Sequence, residues 1–450
     1  MRPVFAQLYQ SLLGPELAAL RSASRMPWTE LAELQRRSLS SLLQHVGRQV
    51  PYYGERLRAS GVLGEGGRID LDRFSHLPPL SKQDVRQLGE SLPPASRDAR
   101  WNSSGGSTGE PTRILQDASH RRWSRATKAC FDGWSSYEQG LPRIVLWGSQ
   151  RDRSAGRWWR PALRALKRET WLDAYRMSPE DLVRYEQVIR QVRPVNIYGY
   201  AESLHEFARH LIREGRRLPP CAGVVSTAGT LYEDARKNIE RAFSSPVFNR
   251  YGSRETGEMA AECASHEGLH ISPLTHVIEI VRPDGSPCEP GERGELLVTS
   301  LVNRAMPLIR YRIGDEASFL EGQCACGCTW PRLATVHGRT TDHVTSKRYG
   351  KIHGGAFRFV LNELDWVVRY QIVQNEDGGL QIRLEPRSLA EGEARLPAAS
   401  GRIRSALHEI MGPECEVDLV LAGSIAPSPS GKHRHVISSV AAPGAAAGRS

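Results

Sequence analysis

The 450-residue chain is short of several things, and each shortage narrows its class. It has no apolar run near the ~18 residues that a membrane-spanning helix needs. The first twenty residues carry only a weak apolar run, broken by Gln7, Tyr9 and Gln10. That run lacks the pattern of a secretory leader, so the expectation is a cytoplasmic protein with no membrane partner. Lysine is scarce, with seven Lys against 53 Arg among the 60 basic residues. The net charge is +10, but the basic residues are spread along the chain rather than gathered in a tail. That spread argues against nucleic acid as a partner. The arginine skew, with abundant Ala, Gly and Pro, fits a GC-rich coding sequence. No Cys-x2-Cys pair occurs among the eight cysteines, and an intracellular chain does not use them as a disulfide framework.

What is present is an ordinary globular composition, 40% apolar and 24% charged. The length suggests two to four domains. Trp28–Val50 has leucines at near-helical spacing and stops at Pro51. Ser81 is a fitting N-cap for a short helix, and Trp101–Pro111 reads as a polar, glycine-rich break. From residue 141 the pattern alternates. Arg143–Trp147, Pro194–Tyr198, Ala222–Ser226 and Pro246–Asn249 read as buried strands. Pro179–Val192, Ser203–Gly215 and Tyr232–Phe243 read as the helices between them. This alternation predicts an α/β fold with mostly parallel strands. His276–Val281 and Gly294–Ser300 read as antiparallel strands after that. Beyond Gly338 a smaller α+β unit begins, and Ala441–Ser450 reads as a disordered tail. The expected division is 1–338, 339–440 and 441–450.

Six segments have the composition of chemistry. Ser103, Ser104, Gly105, Gly106, Ser107, Thr108 and Gly109 give hydroxyls and a bendable backbone that can cradle phosphates. The same stretch matches the G-x-S-x-G elbow of serine hydrolases, with Ser107 as nucleophile. Its polar approach and the nearby Pro111 do not suit the strand–turn–helix that an elbow needs. Arg250–Glu258 follows a strand end, where open α/β sheets bind ligands. Met306–Asp315 places Asp315 after Gly314, a carboxylate suited to ribose hydroxyls or to a structural ion pair. Gly338–Asp342 lies at the junction of the two units, and Lys432 follows a Pro/Ser/Gly stretch. That stretch is not a P-loop, since Ala426 and His433 break the pattern. Cys263, His270 and the run Cys324, Cys326 and Cys328 are soft donors that suit a tetrahedral zinc.

The order of these segments is more specific than any one of them. SSGGSTGEPT, YGSRETGEMAAEC, IRYRIGD, GRTTD and the late Gly-Lys resemble the adenylate-forming superfamily. LPPLSK, IYGYAESL, VVSTAGTLY, GLHISP and the Cys-Ala-Cys-Gly run resemble its phenylacetate–CoA ligase and CapK/coenzyme F390 synthetase-like branch. The resemblance is good over about residues 40–345 and thin beyond. It implies a large adenylate-forming domain and a small mobile cap. It also implies two half-reactions: a carboxylate attacks the α-phosphate of ATP, and a thiol, commonly that of CoA, then displaces AMP.

Carried over by position, Ser103–Gly109 would hold the pyrophosphate. Tyr251, Gly252 and Ser253 would flank the adenylate, Glu255 would hold magnesium, and Asp315 the ribose. Arg339 would lie near ribose or phosphate, Asp342 at the hinge, and Lys432 between carboxylate and α-phosphate. The resemblance also narrows the zinc set to Cys263, His270, Cys324 and Cys326, with Cys328 spare. The acyl pocket is expected near Phe131–Tyr137, Tyr198–Ala201 and Ser226–Gly229, including Tyr198, Gly199, Ala228 and Gly229. Expected small molecules are ATP, Mg2+, a structural Zn2+, a small carboxylate and CoA. A carrier-protein thiol, an amine, a sugar, or adenylyl transfer as in coenzyme F390 synthetase are alternative acceptor chemistries. Two segments depart from the pattern. The stretch after Asp342, HVTSKRYGKIHGGAFRF, lacks the usual short apolar run, and Arg151–Arg160 has no counterpart.

Overall fold

A computed structural model describes residues 13–92, 98–103, 112–148, 160–174, 177–339, 343–361, 363–426, 435–438 and 440. The chain divides into two compact units, Met1–His337 and Gly338–Ser450. No described helix is long and apolar enough to cross a membrane.

The first unit opens with helices Gly14–Ala23, Trp28–Gln49, Pro51–Ala59 and Lys82–Glu90. Ser81 caps the last of these in a reciprocal box with Asp84. A hairpin of β1 (Arg100–Ser103) and β2 (Arg113–Gln116) follows, and then the helix Ala118–Trp134. The expected break at Trp101 is therefore a strand. Trp101 and Arg113 side chains cover each other on its exposed face, the guanidinium 4.8 Å from the ring centre.

The core is one mixed sheet of eleven strands. Its parallel end has β4 (Glu169–Leu172), β3 (Arg143–Leu146), β5 (Asn196–Tyr200), β6 (Gly223–Thr227) and β7 (Val247–Ser253), in that spatial order. The order continues through β8 (Gly257–Glu262), β9 (Leu269–Ile271), β13 (Arg332–Arg339), β12 (Tyr311–Leu320), β11 (Gly294–Ser300) and β10 (His276–Val281). The parallel part matches the alternation in the sequence. It is fused to strands whose pairings β7–β8, β8–β9, β9–β13, β11–β12 and β10–β11 are antiparallel. The expected "mostly parallel" sheet is thus mixed.

Helices Pro179–Val192, Ala201–Arg213 and Glu233–Phe243 pack their apolar stripes on the parallel end. Ile144, Ile197, Val224 and Val247 are buried there to 2% exposure or less. At ~25 cal/mol per Å2 of apolar area, such burial is the main favourable contribution to folding.

The second unit has a four-stranded sheet, ordered β18 (Val417–Leu421), β17 (Leu380–Pro386), β16 (Val367–Gln374), β19 (Val436–Ser438). The helix Leu389–Met411 packs on it, and a hairpin of β14 (His343–Ser346) and β15 (Gly350–His353) precedes it. The helix expected from Phe357 is only the short Arg358–Leu361.

Candidate functional site

The carboxyl ends of β5, β6 and β7 lie side by side, Tyr200 beside Thr227 and Thr227 beside Arg250. This is the edge at which parallel α/β sheets bind ligands. Just past it, β7 carries Tyr251. Its hydroxyl donates to Asp315 Oδ2 at 2.7 Å. Asp315 sits on β12, so two sequence-selected residues from distant strands meet. Arg310 pairs instead with Glu279 at 3.0 Å, and Arg312 with Glu295.

Glu255 occupies the turn between β7 and β8, and its neighbours are held from both sides. The Arg254 carbonyl accepts from Asn102 Nδ2 at 3.3 Å and Gln116 Nε2 at 2.9 Å. Both donors belong to the β1–β2 hairpin, so that hairpin is fastened to the turn. The Ser253 hydroxyl accepts from the Thr256 N–H at 3.1 Å. The Thr256 carbonyl lies 3.0 Å from His276 Nε2, while Thr275 Oγ1 is 2.9 Å from His276 Nδ1. Burial pulls the His276 pKa down to about 4, so the ring is neutral. A carbonyl can only accept, so Nε2 carries the proton and donates to Thr256. Sequence reading missed His276 and Gln116, since neither stands in a motif.

Gly252 and Gly257 are required by this turn. A Cβ on Gly252 would lie 2.9 Å from the Gly257 carbonyl oxygen. Gly257 has φ +89°, and a Cβ there would meet Ser124 Oγ at 2.9 Å.

Ser103 ends β1. Ser104, Gly105, Gly106, Ser107, Thr108 and Gly109 lie outside the described residues, as do Asp342, Lys432 and the tail. The chain that includes Ser107 joins two antiparallel strands, whereas a hydrolase elbow joins a strand to a helix. Arg339 ends β13. The stretch 151–159 is also outside the described residues.

Tyr198 lies on β5 over a buried group of charges. Asp132, on the helix Ala118–Trp134, accepts from Arg143 at 2.9 and 3.2 Å. Arg250 approaches the same carboxylate at 2.8 Å. Burial alone would raise the Asp132 pKa, but Arg143, Lys128 and Arg250 outweigh it and hold the carboxyl well below its usual range. The Tyr198 ring centre is 4.3 Å from Lys128 Nζ and 5.1 Å from the Arg143 guanidinium. Gly199 points to the opposite sheet face, where a Cβ would press on Leu146 and Leu204. Ala228 takes a left-handed φ of +61° past β6, and Gly229 packs near Ala201. Of the expected acyl pocket, Tyr198 and the helix segment around Asp132 come together, and Gly199 serves helix packing.

Cys263, His270, Cys324 and Cys326 converge, with one donor atom from each lying within 4.8 Å of the others. Cys263 Sγ is 3.6 Å from Cys324 Sγ, and Cys326 Sγ is 3.4 Å from His270 Nε2. A tetrahedral zinc with bonds of about 2.3 Å to sulfur and 2.0 Å to nitrogen needs edges of about 3.5–3.8 Å. The donor set and spacing fit zinc. His270 Nδ1 is 3.4 Å from the Trp330 carbonyl, and the Cys328 N–H donates to Cys326 Sγ at 3.4 Å. Such outer bonds orient metal ligands. Cys328 enters through its backbone and is itself buried in the hydrophobic cluster that includes Leu13, Leu17 and Trp330.

No protein-family model matches the chain. It is 24% identical to Protein CapK of Staphylococcus aureus, across 96% of this chain and 94% of that protein. It is 26% identical to the phenylacetate-coenzyme A ligase of Thermus thermophilus, across 94% of this chain and 98% of that one. Among solved structures, 2-hydroxyisobutyryl-CoA ligase bound to an adenylate in its postadenylation state superposes with TM-score 0.72 at 20% identity. That match covers 92% of this chain and 91% of the other. The fold is therefore that of the adenylate-forming ligases. In sequence, the chain is similar to phenylacetate–CoA ligases and to CapK over nine-tenths or more of its length.

Proposed function

We infer that the chain is an AMP-forming carboxylate–CoA ligase: it activates a small carboxylic acid with ATP and passes the acyl group to CoA. The observation that carries this reading is the Tyr251–Asp315 hydrogen bond beside the braced Glu255 turn. It lies just past the carboxyl ends of the parallel strands, in a fold that superposes on 2-hydroxyisobutyryl-CoA ligase.

The residue roles follow from charge. Carboxylate and ATP are both anions, so their approach needs fixed positive charge at the α-phosphate. Asp315 would accept the ribose hydroxyls, with Tyr251 fixing its rotamer and covering the base. Glu255 would hold magnesium, a hard ion that prefers carboxylate oxygen. When bound, magnesium supplies charge neutralisation at the phosphates. Ser103–Gly109 would cradle the pyrophosphate, and Arg339 would lie by ribose or phosphate. Lys432, on the second unit, would bridge the carboxylate and the α-phosphate, and Asp342 would be its hinge. A lysine delivered by a moving unit gates the first step and leaves room for CoA in the second. Zinc on Cys263, His270, Cys324 and Cys326 would be structural, since four protein ligands leave no open position. The reading places the enzyme in the cytoplasm, where ATP and CoA are available.

The test is a pyrophosphate-release screen across aryl and alkyl carboxylates, with CoA then offered as acceptor. Thioester formation is expected for the acid that releases pyrophosphate. Release followed by transfer to a carrier-protein thiol, an amine or a sugar, but not to CoA, would overturn the acceptor assignment.

A further inference from the structure

Lys128 reverses the usual posture of a lysine. Lysines lay their stems on protein and keep the ammonium in water. Here the side chain is 36% exposed, yet Nζ is buried and makes no hydrogen bond among the described residues. The stem thus borders an opening while the charged head faces inward.

The head faces a group with one cation to spare. Lys128, Arg143 and Arg250 oppose two described carboxylates, Asp132 and Glu258. Asp132 is taken by the two arginines at 2.8–3.2 Å, and Lys128 stands off at 3.8 Å. Arg250 Nε and Nη1 are further buried donors with no hydrogen bond among the described residues, Nη1 meeting Asp132 as an ion pair only. An unsatisfied buried ammonium is costly, and burial draws the Lys128 pKa down to about 8. A structural ion group would have no use for the extra cation, but a ligand acceptor would satisfy it.

The place of the head says what that ligand is. It lies 4.3 Å from the Tyr198 ring centre, and Glu258 is paired with Gly252 across β7–β8. Gly252 adjoins Tyr251, which holds Asp315. The acyl tail of a molecule held there as its adenylate would extend along Tyr198.

We propose that Lys128 is a specificity-determining residue of the acyl site, and that the preferred acid carries a second acceptor oxygen remote from the carboxylate that is activated. This rests on the ligase reading above. The shared chemistry is an oxygen acceptor, whether a hydroxyl or a second carboxylate.

The test uses matched pairs of acids in ATP–pyrophosphate exchange on the full chain. The pairs are phenylacetate with 4-hydroxyphenylacetate, and butyrate with succinate. The wild type is expected to favour the oxygen-bearing member of one pair by ~10-fold or more in kcat/KM. Lys128→Met and Lys128→Gln should bring that ratio down toward one and leave the ATP KM in place. The two pairs separate a hydroxyl from a carboxylate. No preference in either pair, or a preference that survives both variants, overturns the proposal. Two variants are used so that a fold defect in one does not end the test. Absence of exchange with every acid overturns the ligase reading itself, which separates the two failures.

Discussion

Tyr251 and Asp315 lie 64 positions apart and meet at 2.7 Å. The sequence order selected both, because each stood in a short motif. The pairing itself was hidden, since it depends on how β7 and β12 fall in one sheet. Tyr251→Phe removes one hydrogen bond to a charged acceptor, worth about 1–2 kcal/mol. It should raise the ATP KM roughly 5–30-fold while leaving the melting temperature near wild type. Steady-state kinetics with a screened acid reads this, and an unchanged KM would remove Tyr251 from the nucleotide site.

Lys128 carried no motif, and the chain's scarcity of lysine did not by itself mark it. Only the structure shows that its head is buried among Asp132, Arg143, Arg250, Glu258 and the Tyr198 ring. Burial lowers its folded pKa from 10.5 to about 8. Below pH 8 the ammonium is charged in both states and its burial penalty is complete. Between pH 8 and 10.5 the unfolded chain binds more protons, so this penalty is lost as pH rises. Lys128→Met should therefore gain most over wild type at pH 7 and least near pH 10. Urea titrations of both proteins at each pH measure the difference. A difference independent of pH would mean that the ammonium is not desolvated.

At the scale of elements, the Glu255 turn is fastened by two pieces of chain that no local pattern links to it. The β1–β2 hairpin holds Arg254, and His276 holds Thr256. The periodicity of the parallel strands and their helices was legible because buried strands and amphipathic helices have distinct rhythms. The antiparallel half was only partly legible. Strands such as β8 and β12 mix polar and apolar residues, so neither shows a clean two-residue alternation.

The Cys/His cluster joins that half together. Cys263 follows β8, His270 is on β9, and Cys324 and Cys326 lie between β12 and β13. The soft residues were visible in sequence, and their convergence needed the fold. About one zinc per chain is expected by elemental analysis, the stoichiometry of a single four-ligand site. Cys324→Ser/Cys326→Ser should lose it and melt several degrees lower. Undiminished zinc in that variant would reject these ligands.

At the scale of the whole molecule, two compact units divide the chain at about residue 338. In the sequence, the pattern of strands and helices starts a smaller α+β unit after Gly338. The proposed division of labour gives the first unit the nucleotide and the acid, and the second the bridging Lys432. Lys432→Ala should cripple adenylation and leave transfer from preformed acyl-AMP to CoA largely intact. Equal loss in both half-reactions would contradict a lysine that serves only the first.

The claim on which every role depends is that the chain adenylates a carboxylate. Isotope exchange between pyrophosphate and ATP, without CoA and with each acid of the screen in turn, tests it most directly. The account predicts label entering ATP only when the right acid is present, and loss of that exchange in Asp315→Ala. Label entering ATP without any acid, or no exchange with every acid in a folded, metal-loaded protein, would contradict it.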